Sequence, residues 1–165
     1  MKALITTITA GCILLSQHHS WARLGESRDE VEARYGSPVR TIQSAPDRVT
    51  GRLYDFNGFL ITVMFLDGKS QLEEYAKKDK TKLTEDDVEK LLQANSGGRT
   101  WQRTDKPTSD VRTWQLINGD AGASLEPTKL SVATHEYAKI GLVQNLSGIL
   151  DALSGKKPAK PNDGF

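Results

Sequence analysis

The sequence predicts an α+β protein made of two tandem units, each a helix followed by an antiparallel sheet, and three observations lead there. The first is internal similarity in a constant order. Ser27-Arg28-Asp29-Glu30-Val31-Glu32 answers Thr84-Glu85-Asp86-Asp87-Val88-Glu89, and Arg40-Thr41-Ile42-Gln43 answers Arg99-Thr100-Trp101-Gln102. Asn57-Gly58 then answers Asn118-Gly119, and Glu74-Tyr75-Ala76-Lys77 answers Glu136-Tyr137-Ala138-Lys139. The spacing grows steadily from 57 to 62 residues, as a duplication with small loop insertions would leave it. The second observation is that each unit opens on a Ser or Thr followed three residues later by an acid, the sequence form of a capping box. The third is a set of Asn-Gly and Asp-Gly pairs between β-prone runs, the strongest short-range hairpin signal.

The elements follow from these signals in chain order. Ser27 and Glu30 start the first helix, and Gly36 with Pro38 ends it, since Gly permits a left-handed cap and Pro blocks continuation. Strands at 50–56 and 59–65 flank Asn57-Gly58, and Asp67-Gly68 turns the chain into a strand at 70–77. Phe59, Ile61, Val63 and Phe65 share one strand face and should meet the helices, while Leu60 and Met64 point the other way. That strand is therefore expected to be central. Thr84 and Asp87 open the second helix, with Leu83 and Val88 forming a hydrophobic staple, and the helix should end between Asn95 and Gly98. The second unit continues with strands at 99–105 and 111–117, a Gly-rich loop at 119–122, and a strand at 129–139. The spacing of Leu146, Leu150 and Leu153 predicts a docking helix, and a disordered tail follows from Gly155. The organisation is thus a leader at 1–22, a first unit at 23–80, a second at 81–142, a C-terminal helix at 143–154 and a tail at 155–165.

The leader reads as a secretory signal peptide. Lys2 precedes an apolar run from Ala3 to Leu15, and Ser20-Trp21-Ala22 places small residues at the two positions a signal peptidase inspects. Cleavage is expected after Ala22, with export to the periplasm or beyond. Cys12 is a lipidation candidate, because Ala10-Gly11-Cys12 has the ending of a bacterial lipoprotein site. Thr9 stands where Leu is usual and the apolar run continues past Cys12, so a filler role in the signal core is preferred.

Cleavage there bounds the chemistry. Of 22 basic and 21 acidic residues the leader removes only Lys2, leaving a formally neutral chain with no dense basic face for nucleic acid. It also removes Cys12, His18 and His19, so no cysteine and one histidine, His135, remain. Disulfides are then impossible, and a zinc site or a nucleophile–histidine device lacks its parts. Lys139 stands where a second His would complete a His-Glu-x-x-His motif, and Val63 replaces the first Gly of a phosphate loop ending at Gly68-Lys69-Ser70. No cofactor and no enzymatic activity are expected. Carboxylate pairs drawn from Asp55, Asp67, Glu73 and Glu74 would suit a small secreted hydrolase, but they read as turn formers and solvated faces.

Gly25-Glu26-Ser27-Arg28-Asp29-Glu30-Val31, followed by Gly36 and Pro38, resembles the helix signature of the BamE (SmpA/OmlA) group of small outer-membrane assembly lipoproteins. That group follows such helices with a three-stranded antiparallel sheet. Two units in tandem are similar to the architecture of β-lactamase inhibitory protein, whose sheet face grips a partner enzyme. The resemblance implies an uncharacterised exported protein that binds or assembles, and it transfers no binding residue to this chain. From the residues themselves, Trp101 and Trp114 stand out, since they lie in identical Arg-Thr-Trp-Gln strings thirteen residues apart. Neighbouring antiparallel strands would bring both onto one face; packing into the core is the commoner use of such a pair, while Trp and Arg dominate binding hot spots. Trp101, Trp114, Leu60 and Met64 are therefore the candidate partner-binding residues. The expected function is a non-enzymatic binding or assembly module that recruits a protein partner of the cell envelope through its sheet face. The competing expectation is a small secreted hydrolase or carbohydrate-binding protein using carboxylates and Trp.

Overall fold

The structure, a computed structural model, describes residues 23–43, 48–107, 109–117 and 119–140. The signal peptide, Cys12, the C-terminal helix and the tail lie outside the described residues. In chain order the elements are α1 (Arg28–Tyr35), β1 (Arg40–Gln43), β2 (Val49–Phe56), β3 (Phe59–Leu66) and β4 (Lys69–Lys77). They continue with α2 (Glu85–Ala94), β5 (Trp101–Arg103), β6 (Arg112–Leu116), β7 (Ala121–Glu126), β8 (Lys129–Thr134) and α3 (His135–Lys139).

These eight strands join one antiparallel sheet in the order β1-β2-β3-β4-β8-β7-β6-β5. This overturns the expected two tandem helix-plus-sheet units of the BamE and β-lactamase inhibitory protein kind. Over the described residues the protein is mostly β, a single eight-stranded sheet with three short helices. The physical reason is the seam between β4 and β8, where Leu72 to Ala76 pair with Ala133 to Lys129. β4 is buried on both faces, as a central strand must be, although Glu73 and Glu74 make it read as an edge.

Local chemistry explains most element boundaries. The Ser27 hydroxyl accepts from the Glu30 amide while the Ser27 amide donates to the Glu30 carboxylate, closing a capping box. Thr84 and Asp87 repeat the exchange on α2. Asn57 and Gly58 turn β2 into β3 with φ of 49° and 82°, and Asp67 and Gly68 turn β3 into β4 with 51° and 80°. Two successive positive φ values are what a type I′ hairpin requires.

Three boundaries differ from expectation. β1 forms beside β2, from the Arg40-Thr41-Ile42-Gln43 string whose sequence signal is its repetition and not a strand pattern. The expected Gly-rich loop at 119–122 gives way to β7, whose buried and half-buried residues alternate. Its small side chains make room for a bulky neighbour, since Ala123 lies directly across from Trp114. The expected strand at 129–139 stops at Thr134, whose hydroxyl accepts from the Tyr137 amide and starts α3.

The sheet has a core on each face. On one, Ile61, Val63, Phe65, Tyr75, Leu130 and Val132 pack against Val31 and Tyr35 of α1 and Val88 and Leu91 of α2. On the other, Val49, Met64, Leu66 and Leu72 lie with Tyr137 of α3. Gly51 belongs to this second core, where a Cβ would stand 2.5 Å from the Met64 sulfur, so the close approach of side chain to backbone requires Gly there.

Candidate functional site

A groove of about 450 Å³ runs between α2 and the β5–β6 end of the sheet. Its walls follow from register. Arg103 of β5 sits directly across from Trp114 of β6, and Trp101 across from Leu116. The period of two then places Trp101, Arg103, Arg112 and Trp114 on the helix side. Glu85, Val88, Glu89 and Leu92 of α2 form the facing wall. The two Trp strings are thus antiparallel neighbours and share a face.

The two tryptophans have different surroundings. The Trp101 indole Nε1 donates to the Leu92 carbonyl at 2.6 Å. Leu92 is in the last turn of α2, where carbonyls lack helical partners, so the indole caps the helix and ties it to the sheet edge. Trp101→Phe is therefore expected to lower stability by about 1 kcal/mol, read from urea midpoints, because it orphans that carbonyl. An unchanged midpoint would show that the bond carries nothing. Trp114 is half-buried against the core on the groove floor, with the Arg112 guanidinium 5.6 Å from its ring centroid in a cation–π contact.

The arginines of the groove are held from behind. Arg103 donates from Nε and Nη2 to the two oxygens of Asp105, at 2.7 and 2.8 Å. Those bonds, with one from the Thr113 amide, hold the Asp105 carboxyl down at about 2, so it stays ionised and fixes the guanidinium. Arg112 donates to Glu85 at 2.6 Å and lowers that carboxyl in the same way. Sequence reasoning missed Arg103, Asp105 and Glu85. It missed Arg112 as well, although Arg112 had a signal, standing two residues before Trp114 on one strand face.

The other two candidate residues lie elsewhere. Met64 is 1% exposed in the second core and Leu60 is half-buried, both on the face opposite the tryptophans. The four residues therefore do not form one patch.

The carboxylates also depart from expectation. Asp55 of β2 pairs with Lys78, and Asp67 of the β3–β4 turn with Arg48, both at the surface. Glu73 and Glu74, read as solvated, are instead 0% and 4% exposed, because β4 is central and both its faces are covered. Glu74 accepts from Lys129 at 2.9 Å and Ser131 at 3.0 Å on the α3 face. Glu73 lies on the α1–α2 face, where the Tyr75 hydroxyl donates to it and Asn95 donates to that hydroxyl at 2.9 Å. Burial pushes its carboxyl up to about 8, against the hydrogen bond from Tyr75. His135 begins α3, its amide donating to the Asp120 carbonyl at 2.6 Å.

No family model matches the chain, and no curated protein does either. Among solved structures it is similar to a cysteine-rich secretory protein from Staphylococcus aureus subsp. aureus Mu50, with a TM-score of 0.43 and 10% identity. That likeness covers 69% of this chain and 45% of the other, so the chain spans less than half the length of the protein it resembles. A likeness so slight carries neither fold family nor activity to this chain.

Proposed function

We propose that the chain is an exported, non-enzymatic binding module that recruits a protein partner of the cell envelope. The partner surface we assign is the groove between α2 and the β5–β6 sheet end, in place of the open sheet face. One observation carries the reading: Trp114 is half-buried and lines the groove, stacked with Arg112 and flanked by Arg103, which an ionised carboxylate holds in place. An aromatic side chain beside fixed guanidinium groups is the composition of an interface hot spot. Preorganised side chains also lose less freedom when a partner docks. Export follows from the leader, where Ser20-Trp21-Ala22 supplies the cleavage signal.

The test is capture of envelope proteins on the exported chain and on two variants. Trp114→Ala is expected to lose the partner by at least about tenfold, as removal of a hot-spot aromatic does. Trp101→Phe should retain it, since Trp101 serves the fold. Equal capture by Trp114→Ala and the parent chain would refute the assignment.

A further inference from the structure

We infer that the groove takes an extended acidic segment of the partner, which adds to the sheet as a strand along the free edge of β5. This deepens the proposed function and rests on it. Three observations support the mode of binding.

The first is backbone availability. β5 is the last strand of the sheet on its side. The Thr104 amide donates to the Thr113 carbonyl and the Ile117 amide to the Thr100 carbonyl, which fixes the alternation of the β5–β6 ladder. The intervening residues Trp101 and Arg103 then direct their own N–H and C=O groups away from β6. Among the described residues nothing pairs with that edge, so it offers two donors and two acceptors to an incoming strand.

The second is length. The groove follows α2 from Glu85 to Gln93. The ten residues of that helix rise about 15 Å. An extended chain advances about 3.3 Å per residue, so the groove matches a segment of roughly four to five residues. A helix laid there would present no main-chain groups to the β5 edge.

The third is charge. Arg103 commits Nε and Nη2 to Asp105, and Arg112 commits Nη1 to Glu85. Among the described residues Arg103 Nη1 and Arg112 Nη2 have no protein acceptor, and both arginines line the groove. Arg99 adds a third guanidinium there, only loosely matched by Asp120 at 3.7 Å. A strand on β5 directs every second side chain to the groove side, so carboxylates at alternate positions reach these donors. On the α2 wall Glu85 is spent on Arg112 and Glu89 has no ion pair among the described residues, so the open guanidinium donors lie on the sheet side of the groove.

The experiment measures binding of labelled synthetic peptides to the full exported chain by fluorescence anisotropy. One peptide carries Glu at alternate positions with Val and Thr between them. A second replaces each Glu with Lys, and a third is the acidic peptide N-methylated at the amides that would face β5. The acidic peptide is expected to bind, to weaken as salt rises, and to exceed the Lys peptide by at least about tenfold. N-methylation should reduce affinity about tenfold by removing main-chain bonds, and Arg103→Gln should do the same by removing a charge-assisted one. Equal binding of the N-methylated and parent peptides overturns strand addition, and so does failure of the acidic peptide to bind the folded chain. If partner capture still depends on Trp114 in those cases, the groove remains the partner site and only the mode of binding is wrong. Peptide binding together with partner capture indifferent to Trp114→Ala would instead refute the proposed function.

Discussion

Raising the pH from about 5 to about 8 is expected to destabilise this protein progressively, and Glu73→Gln is expected to abolish most of that loss. Glu73 is wholly buried between the sheet and the two helices above it. The hydrogen bond from Tyr75 and the attraction of Arg34 both favour the charged form, but burial outweighs them. Tyr75 donates one hydrogen bond to it, and Arg34 of α1 gives both terminal nitrogens to Glu26 at 2.7 Å. Glu26 itself adds a repelling charge, and the Glu73 Oε1 atom has no hydrogen-bond partner among the described residues. Desolvation therefore dominates and the carboxyl holds its proton to about pH 8.

The sign follows from linkage. In the unfolded chain Glu73 loses its proton near the ordinary value of 4.5, while the folded chain keeps it to about 8. Between those limits the unfolded state binds fewer protons, so stability falls as pH rises and levels off above pH 8. The loss is of order 3–5 kcal/mol, a large share of a domain's total stability. The side-chain amide introduced by Glu73→Gln would accept the same Tyr75 hydrogen bond without titrating. Urea midpoints at pH 5, 6.5 and 8.5 should therefore fall steadily in the parent chain and stay nearly level in Glu73→Gln. The variant should be the more stable of the two at pH 8.5. Parallel pH profiles would show that Glu73 ionises in the folded protein at no cost.

The same strand shows what was legible in the sequence. Short-range chemistry was readable because each signal lies within a few residues. Ser27 with Glu30, Thr84 with Asp87, Asn57-Gly58 and Asp67-Gly68 all act where they were expected. The apolar face of β3 was readable from its period of two. Long-range pairing was not. Nothing local says that β4 finds β8 some sixty residues away, and the adjacent acids Glu73 and Glu74 argued for an exposed strand. Burial of a charge depends on what covers it, which a strand pattern does not carry. The site divides in the same way. That Trp101 and Trp114 share a face was readable from their spacing, whereas Met64 reaches the second core because α3 covers it. Asp105 and Glu85 could not be distinguished from other surface acids until the fold set Arg103 and Arg112 beside them.

Lys129→Met is expected to cost about 3–5 kcal/mol, because it strips the counter-charge from a buried carboxylate at the seam joining the two halves of the sheet. Among the described residues β4 with β8 is the only strand pairing between the β1–β4 and β5–β8 halves. Glu74 is 4% exposed there, and Lys129 and Ser131 of β8 both donate to its Oε1 across the seam. The nearby Tyr137 hydroxyl, raised first by desolvation and then by the Glu74 charge, offers that charge no hydrogen bond. Without the ammonium group, the buried Glu74 carboxylate is left without its counter-charge. Replacing both partners, Glu74→Leu with Lys129→Met, removes the desolvation penalty along with the attraction. The double variant should recover most of the parent's stability at neutral pH. A double variant as unstable as Lys129→Met alone would mean that the cost lies in lost Lys129 packing and not in the stranded charge.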